Sequence, residues 1–405
     1  MEPMSIREIE KAVRGVWWNP REGAEDVSSV TTDSRNVPAG SLFIPIVGEK
    51  FDGHRFIGAA LDQGAAGVLC AKLPEDLRHD KFYIKVADTR LALKDLARHY
   101  REKFTIPVVQ ITGSVGKTTT KDMIAAVLAQ KYRVLKTAEN FNNDIGTPLT
   151  LLGLDHTHEA AVIETGMNHF GEIRYLGEMV QPDIAVISNI GDAHIEFLGS
   201  REGILKAKAE ILENLRPGGT VILNGDDALL NTLTPPFETL RCGQGENCAY
   251  RVGEIADHGV DGITCRLTTP QGEYRLTIPA PGEHMVYSAS MAAAIGEKLG
   301  LTAEEIARWG RRTPRPHRLP DAGPPPAGGA HRAGRLLQRQ PPVRHGGAGD
   351  PCQDRLRPAG GGAGRHGGAW RPHGPGPLQH GRPRRDAGHR PRHRHRRPRR
   401  QDRRG

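Results

Sequence analysis

At 405 residues the chain is long enough for about two or three domains with cores of their own, and its five cysteines, Cys70, Cys242, Cys248, Cys265 and Cys352, lack the C-x-x-C spacing of a zinc cage or disulfide framework. The formal charge of +9 does not by itself point to nucleic acid, because the basic excess collects at the far end of the chain. No apolar run approaches the roughly 20 residues of a membrane span, and MEPMSIREIE has no signal-peptide core; a cytoplasmic protein without a membrane span is expected.

Taken in order, residues 1–106 read as a separate α/β unit, in which Val30 to Leu69 alternates short strands and turns before a helix. Pro107 marks a boundary. Over 107–312, strands are expected at Val108–Ile111, Ala161–Ile163, Asp183–Ser188 and Thr220–Leu223, interleaved with helices at Thr119–Gln130 and Gly203–Leu215. That alternation predicts a mainly parallel sheet covered by helices, with its ligand at the carboxyl ends of the strands.

The texture changes after Leu319, beyond which there is no Lys, Glu, Ile, Phe, Tyr, Ser, Thr, Asn or Met. Such a composition cannot bury enough apolar surface to offset chain entropy, so residues 313–405 are expected to be a disordered basic tail. One reading is an arm for nucleic acid or anionic surfaces. The other is a GC-rich gene read out of frame. Shifting permitted codons for RLLQRQPPVRH (Arg335–His345) by one base can spell DCYNANPPSDM, and the same shift of GRHGGAW (Gly364–Trp370) can spell GDMAELG. Two such spellings, in order and in one frame, favour the out-of-frame reading, with the slip expected near Leu319 to Asp321, where the texture changes.

The chemistry centres on QITGSVGKTTTKD, Gln110 to Asp122. Gly113 and Gly116 free the backbone of Gly113, Ser114, Val115, Gly116, Lys117, Thr118 and Thr119 to turn amides toward a phosphate, and the following helix adds its positive end. Lys117 is expected on the β- and γ-phosphates and the Thr118 hydroxyl on Mg²⁺. The spacing is a variant of the usual phosphate loop, since Gln110 or Thr112 stands where the leading Gly is expected. Glu164 closes the strand AVIE, and His194 lies in the loop after the next strand, so both emerge at the same rim as candidate metal ligands. The bound phosphate is then that of a nucleoside triphosphate, ATP. A GTPase is disfavoured by the absence of an N-K-x-D motif.

GSVGKTTT, ENFNNDIGTPLTLL (Glu139–Leu152), IETGMNHFGEI and NIGDAHIEFLGSREGILKAKAEI together resemble the central domain of the Mur ligases. DSRNVPAGSLFIPIVGEKFDGH is similar to the UDP-binding domain of the members that add the third residue and the terminal dipeptide to the peptidoglycan stem. The resemblance covers about residues 1 to 318; NFNNDIGTP and the two out-of-frame motifs favour the dipeptide-adding member. It implies a UDP-binding domain, a central ATP domain and a Rossmann-like C-terminal domain, the last replaced by the tail and leaving the printed chain inactive. It also implies ATP, Mg²⁺, UDP-N-acetylmuramoyl tripeptide and D-alanyl-D-alanine as ligands of a monomer, and amide formation through an acyl phosphate. By resemblance Gly113 to Thr119 form the ATP loop, and Thr118, Glu164 and His194 hold magnesium. Lys117 and Lys208 are catalytic, Lys208 matching a lysine that some relatives carbamylate. Asp33, Ser34, Arg35, Phe43, His54, Asn142 and Asn143 contact substrate. Met285 and Ser288 depart from the family's usual Asn, which removes an expected adenine contact. The alternatives are a third-residue ligase of the same architecture and a basic nucleic-acid-binding ATPase, the latter favoured by the tail alone.

Sequencing the DNA across the codons for Arg318 to Asp321 is expected to show one base gained or lost. An intact frame supported by transcript reads overturns the frameshift.

Overall fold

The computed structural model describes residues 1–18 and 26–312; the expected tail at 313–405, with its missing domain, lies outside the described residues. The first sheet joins β1 (Val16–Trp18), β2 (Val30–Thr31), β3 (Leu42–Phe43), β4 (Gly67–Cys70) and β5 (Phe82–Lys85) in the order β1-β5-β4-β3-β2. Only β1 is antiparallel to its neighbour.

The second sheet holds nine strands: β6 (Val108–Thr112), β7 (Val134–Lys136), β8 (Ala160–Glu164), β9 (Ile184–Ile187), β10 (Thr220–Asn224), β11 (Glu238–Gly243), β12 (Tyr250–Asp257), β13 (Ile263–Thr269) and β14 (Gly272–Ile278). Its order is β14-β13-β12-β11-β10-β9-β6-β8-β7, parallel from β7 through β12 and antiparallel at β12-β13-β14. Every residue of β6, β8 and β9 is buried. That is the signature of strands covered by helices on both faces, so these runs are mostly apolar rather than alternating, with Gln110, Thr112 and Glu164 as the buried polar exceptions. The mainly parallel α/β architecture expected from the alternation is the one observed. Because β6 lies between β8 and β9, the loops that follow these three strands open at one edge, the place where open parallel sheets bind ligands. No helix among the described residues is long and apolar enough to cross a membrane.

The helix Thr89–Arg101 joins the two sheets. Asp88 caps it by accepting the amides of Arg90 and Leu91, while Arg98, His99 and Arg101 occupy the last turn, where cations oppose the helix dipole. Its face of Ala92, Leu93, Leu96, Ala97 and Tyr100 enters a core that also holds Ile44 and Ile84 of the first sheet region and Ile163, Leu176 and Val180 of the second. One apolar core therefore serves both sheets. Two ion pairs, Arg90 with Asp144 and Lys94 with Glu178, cross at its rim. Arg101 is fully buried beneath them, its Nε donating to the Val180 carbonyl at 3.2 Å and its Nη1 to that of Phe104 at 2.6 Å. Burial, with Arg216 nearby, lowers its pKa to about 10, so it stays charged at neutral pH.

Arg101→Ala removes both hydrogen bonds and leaves a void, and is expected to cost about 2–4 kcal/mol. A lower urea midpoint checks this; an unchanged midpoint would remove Arg101 from its role as the tie between the sheets.

Candidate functional site

At the end of β6 the chain turns through Gly113 to Gly116 into the helix Lys117–Leu128. Gly113 is required sterically, because a Cβ there would stand 1.9 Å from Ser188 Oγ at the end of β9. Gly116, at φ 74°, takes the left-handed conformation that glycine adopts without strain. It begins the helix without any side-chain cap, so the first-turn amides keep their donors turned outward. That is an anion site in waiting.

The loop is braced from β9. Asn189 Oδ1 accepts the amides of Ser114 and Val115 at 3.1 and 2.9 Å, and its Nδ2 donates to the Val115 carbonyl at 2.8 Å. Of the run Gly113 to Thr119 expected at the phosphate, the Ser114 and Val115 amides are committed to Asn189, and the start of the helix stays uncapped. Asn189 itself was not foreseen, although its place just after the neighbouring strand was a usable signal.

Two lysines meet on one carbonyl. Lys117 Nζ donates to Gly113 O at 3.0 Å and Lys208 Nζ donates to the same oxygen at 2.8 Å. Lys208 is 1 % exposed, and burial followed by the charge of Lys117 lowers its pKa to about 7. Burial also lowers that of Lys117, opposed by the charge of Glu164. His194 closes the group in left-handed backbone at φ 68°, its pKa lowered by burial and then by Lys208 and Lys117. Lys117, Glu164, His194 and Lys208 are thus brought together.

Glu164 ends β8 at 1 % exposure. Asn142 Nδ2 donates to its Oε1 at 2.8 Å, and its own amide donates to Thr137 Oγ1 at 2.9 Å. Its Oε2 is buried with no hydrogen-bond partner. A carboxylate oxygen buried without a hydrogen bond is costly, the Lys121 ammonium coming no nearer than 3.9 Å, and a hard oxygen donor suits Mg²⁺. Glu164, the exposed Thr118 and His194 therefore fit a divalent cation, although the described residues contain no cluster of three acidic, His or Cys ligands. Thr119 is half-buried on the turn after Thr118.

The expected substrate contacts fare unevenly. Arg35 folds back on Asp33, with Nε to Oδ1 at 2.9 Å and Nη2 to Oδ2 at 2.8 Å, and these bonds hold the Asp33 pKa near 2. Its side chain remains 88 % exposed, and Ser34 beside it offers its carbonyl to Gln63. Phe43, at 1 % exposure, packs its ring among Val37, Ile57, Leu61, Val68 and Tyr83 in the core, which leaves its main chain for any substrate contact. His54 is engaged within its own turn. Its Nδ1 lies 2.6 Å from Asp52 Oδ1 and its Nε2 accepts the Ala71 amide at 2.9 Å, so both nitrogens hold the turn together. Asn142 faces Glu164, and Asn143 Oδ1 accepts the amides of Ile145 and Gly146 at the start of the helix Gly146–Leu151. Ser288, in place of the adenine contact, is 2.8 Å from Thr120 Oγ1.

Comparison with known proteins agrees with this geometry. Residues 111–296 match the Mur ligase middle domain, and residues 26–101 match the Mur ligase family catalytic domain. The chain is 40% identical to UDP-N-acetylmuramoyl-tripeptide--D-alanyl-D-alanine ligase of Bacillus subtilis over 75% of its own length and 66% of the relative's. It therefore spans slightly less than two thirds of that curated relative. Its fold is similar to the crystal structure of MurF from Acinetobacter baumannii (TM-score 0.72, 34% identity, 78% of this chain and 69% of that one). It is also similar to MurF ligase from Thermotoga maritima in complex with ADP (TM-score 0.63, 27% identity, 69% and 65%).

The lowered pKa of Lys208 carries a sign. Between about 7 and the usual lysine value of 10.5 the unfolded chain holds a proton there that the folded chain has released, so folding stability gains with rising pH across that window. Below pH 7 both states are charged and the slope vanishes. Lys208→Met is expected to remove this contribution, so that its stability relative to wild type declines as pH is raised from 7 to 10. Urea melts in parallel at every pH would contradict it.

Proposed function

The chain belongs to the Mur ligase family, and from that premise we propose that it serves the ATP-dependent ligation of D-alanyl-D-alanine to UDP-N-acetylmuramoyl tripeptide in peptidoglycan precursor synthesis in the cytoplasm. The observation that carries this is the convergence of Lys117 and Lys208 on Gly113, beside the unpartnered oxygen of Glu164 and an uncapped helix start. The ADP bound by the Thermotoga maritima relative supports a nucleotide there.

On this reading residues 1–106 hold the UDP end of the substrate, with exposed Arg35 offered to its diphosphate, and residues 107–312 activate the stem. A carboxylate is a poor electrophile toward amines, so activation comes first. A carboxylate oxygen of the tripeptide attacks the γ-phosphorus, the bond from that phosphorus to the β-bridging oxygen breaks, and ADP leaves an acyl phosphate. The dipeptide amine then adds to the acyl carbon, loses a proton and expels phosphate. Gly116 to Thr119 supply amide donors and the helix dipole to the terminal phosphates, and Lys117 exchanges the Gly113 carbonyl for phosphate oxygens as charge develops. Thr118, Glu164 and His194 would hold Mg²⁺, which when bound neutralises charge on the phosphate oxygens. Lys208, whose amine is largely neutral above pH 7, is the group on which a carbamate would form; otherwise it anchors Gly113.

Phosphate release is to be measured with UDP-N-acetylmuramoyl tripeptide, D-alanyl-D-alanine and ATP, in the printed chain and in one with the frame restored after residue 320. Turnover is expected from the restored chain, and nucleotide binding without turnover from the printed one. In the restored chain Lys117→Ala is expected to lower phosphate release by at least about 100-fold, leaving UDP-substrate affinity within about twofold because the two contacts lie on different sheets. Equal loss of both contradicts the assignment. Acceptance of a third-residue amino acid in place of the dipeptide keeps the family and overturns the member.

A further inference from the structure

The helix that carries the phosphate loop also carries a second lysine that no step above uses. Lys121, one turn after Lys117, is 2 % exposed. Its Nζ donates to the Thr137 carbonyl at 2.8 Å, and lies 3.5 Å from Asp122 Oδ1 and 3.9 Å from Glu164 Oε2. Thr137 follows β7, and its hydroxyl accepts the Glu164 amide at 2.9 Å. Lys121 thus grips the residue that grips Glu164. On the opposite side Asn142 holds Oε1 at 2.8 Å. Thr137 thus holds the main chain of Glu164 and Asn142 one oxygen of its carboxylate, with Oε2 left over.

Burying an ammonium in such a place is unfavourable unless it is paired and hydrogen-bonded. A merely structural cation would be expected to bond the carboxylate directly, whereas this one stops at 3.9 Å and bonds the carbonyl instead. At that separation it leaves the lone pairs of Oε2 unoccupied. Groups that orient a ligand in this way typically carry a 10- to 100-fold effect on metal affinity.

We propose that Lys121 is a positioning residue for the divalent cation of the nucleotide site: through Thr137 it holds the main chain from which the Glu164 carboxylate projects, and by bonding the Thr137 carbonyl rather than the carboxylate it leaves Oε2 free for the metal. The inference rests on the proposed function, and deepens it by joining the phosphate loop and the metal ligand through one helix. Lys117 serves the phosphates from the first turn; Lys121 serves the cation's ligand from the second.

The test uses the full printed chain, with Mn²⁺ as a paramagnetic probe titrated in the presence of saturating ADP, and ADP affinity measured separately in EDTA. Lys121→Met is expected to weaken Mn²⁺ binding by about 10- to 100-fold while ADP affinity in EDTA changes less than about twofold. Lys121→Gln keeps a donor for the Thr137 carbonyl without the charge, and is expected to fall between Met and wild type. Unchanged Mn²⁺ affinity in Lys121→Met overturns the inference, as does a parallel loss of ADP affinity in EDTA, which would mean that the loop as a whole had moved. If Lys121→Met fails to give a cooperative melt, Lys121→Gln decides by the same two measurements. A wild-type chain that binds neither ADP nor Mn²⁺ with ADP would instead defeat the proposed function itself. The two failures are therefore distinguishable.

Discussion

The carbonyl of Gly113 is the point on which the rest of the site depends. It accepts from Lys117 and Lys208 together, and the missing side chain of the same residue lets Ser188 approach from the neighbouring strand. Two ammonium groups on one oxygen repel each other, which burial tolerates only by lowering the proton affinity of one of them. Lys208, the more buried, bears the larger effect. Under the proposed function an incoming polyphosphate would relieve that repulsion, giving Lys117 a better partner and leaving Lys208 with the loop. Removing the side chain at Gly113, crowding the lysines and bracing the loop with Asn189 are one construction seen from three sides.

The topology makes that construction possible. Placing β6 between β8 and β9 brings together the phosphate loop, the Glu164 carboxylate and the segment from Ser188 to His194, although they are far apart in the chain. A sheet in which β6 lay at the edge would separate at least one of the three. The burial of both faces of these strands then fixes their register, because slipping by one residue would displace each chemical group from the rim by half a pleat.

How much of this was legible in the sequence varied with the range of the interaction. The strand, glycine turn and helix around Gly113 to Gly116 were readable because their determinants are local: two glycines three apart, a lysine and a threonine, between an apolar run and a helix-forming one. Glu164 was readable because the end of a buried strand fixes where a side chain emerges. The surroundings of Phe43 and His54 were not readable, for the opposite reason. Their strand and turn are very short, and what commits them is a core around Phe43 and an amide from Ala71 on His54, neither visible as spacing. Lys121 looks like any lysine on a helix until the fold places Thr137 against it. The ranges of the Gly203–Leu215 helix were also only partly readable, since it changes from α to 3-10 geometry at Glu210, whose carboxylate is drawn aside to accept the Gly171 and Arg174 amides.

The core shared by the two sheets has a geometric consequence. Helix Thr89–Arg101 is packed into both, and Arg101 bonds across the join, so the spacing between the Asp33–Arg35 turn and the Gly113 loop is set by close-packed side chains rather than by a linker. Under the proposed function such a spacing acts as a ruler. A ligand anchored by its nucleotide end reaches the phosphate loop only if the length of its own backbone matches, and a stem one residue shorter would stop several ångströms short of reaction. Selection by length, enforced by an apolar core with no contact to the reacting atoms, needs no group that reads the stem's side chains.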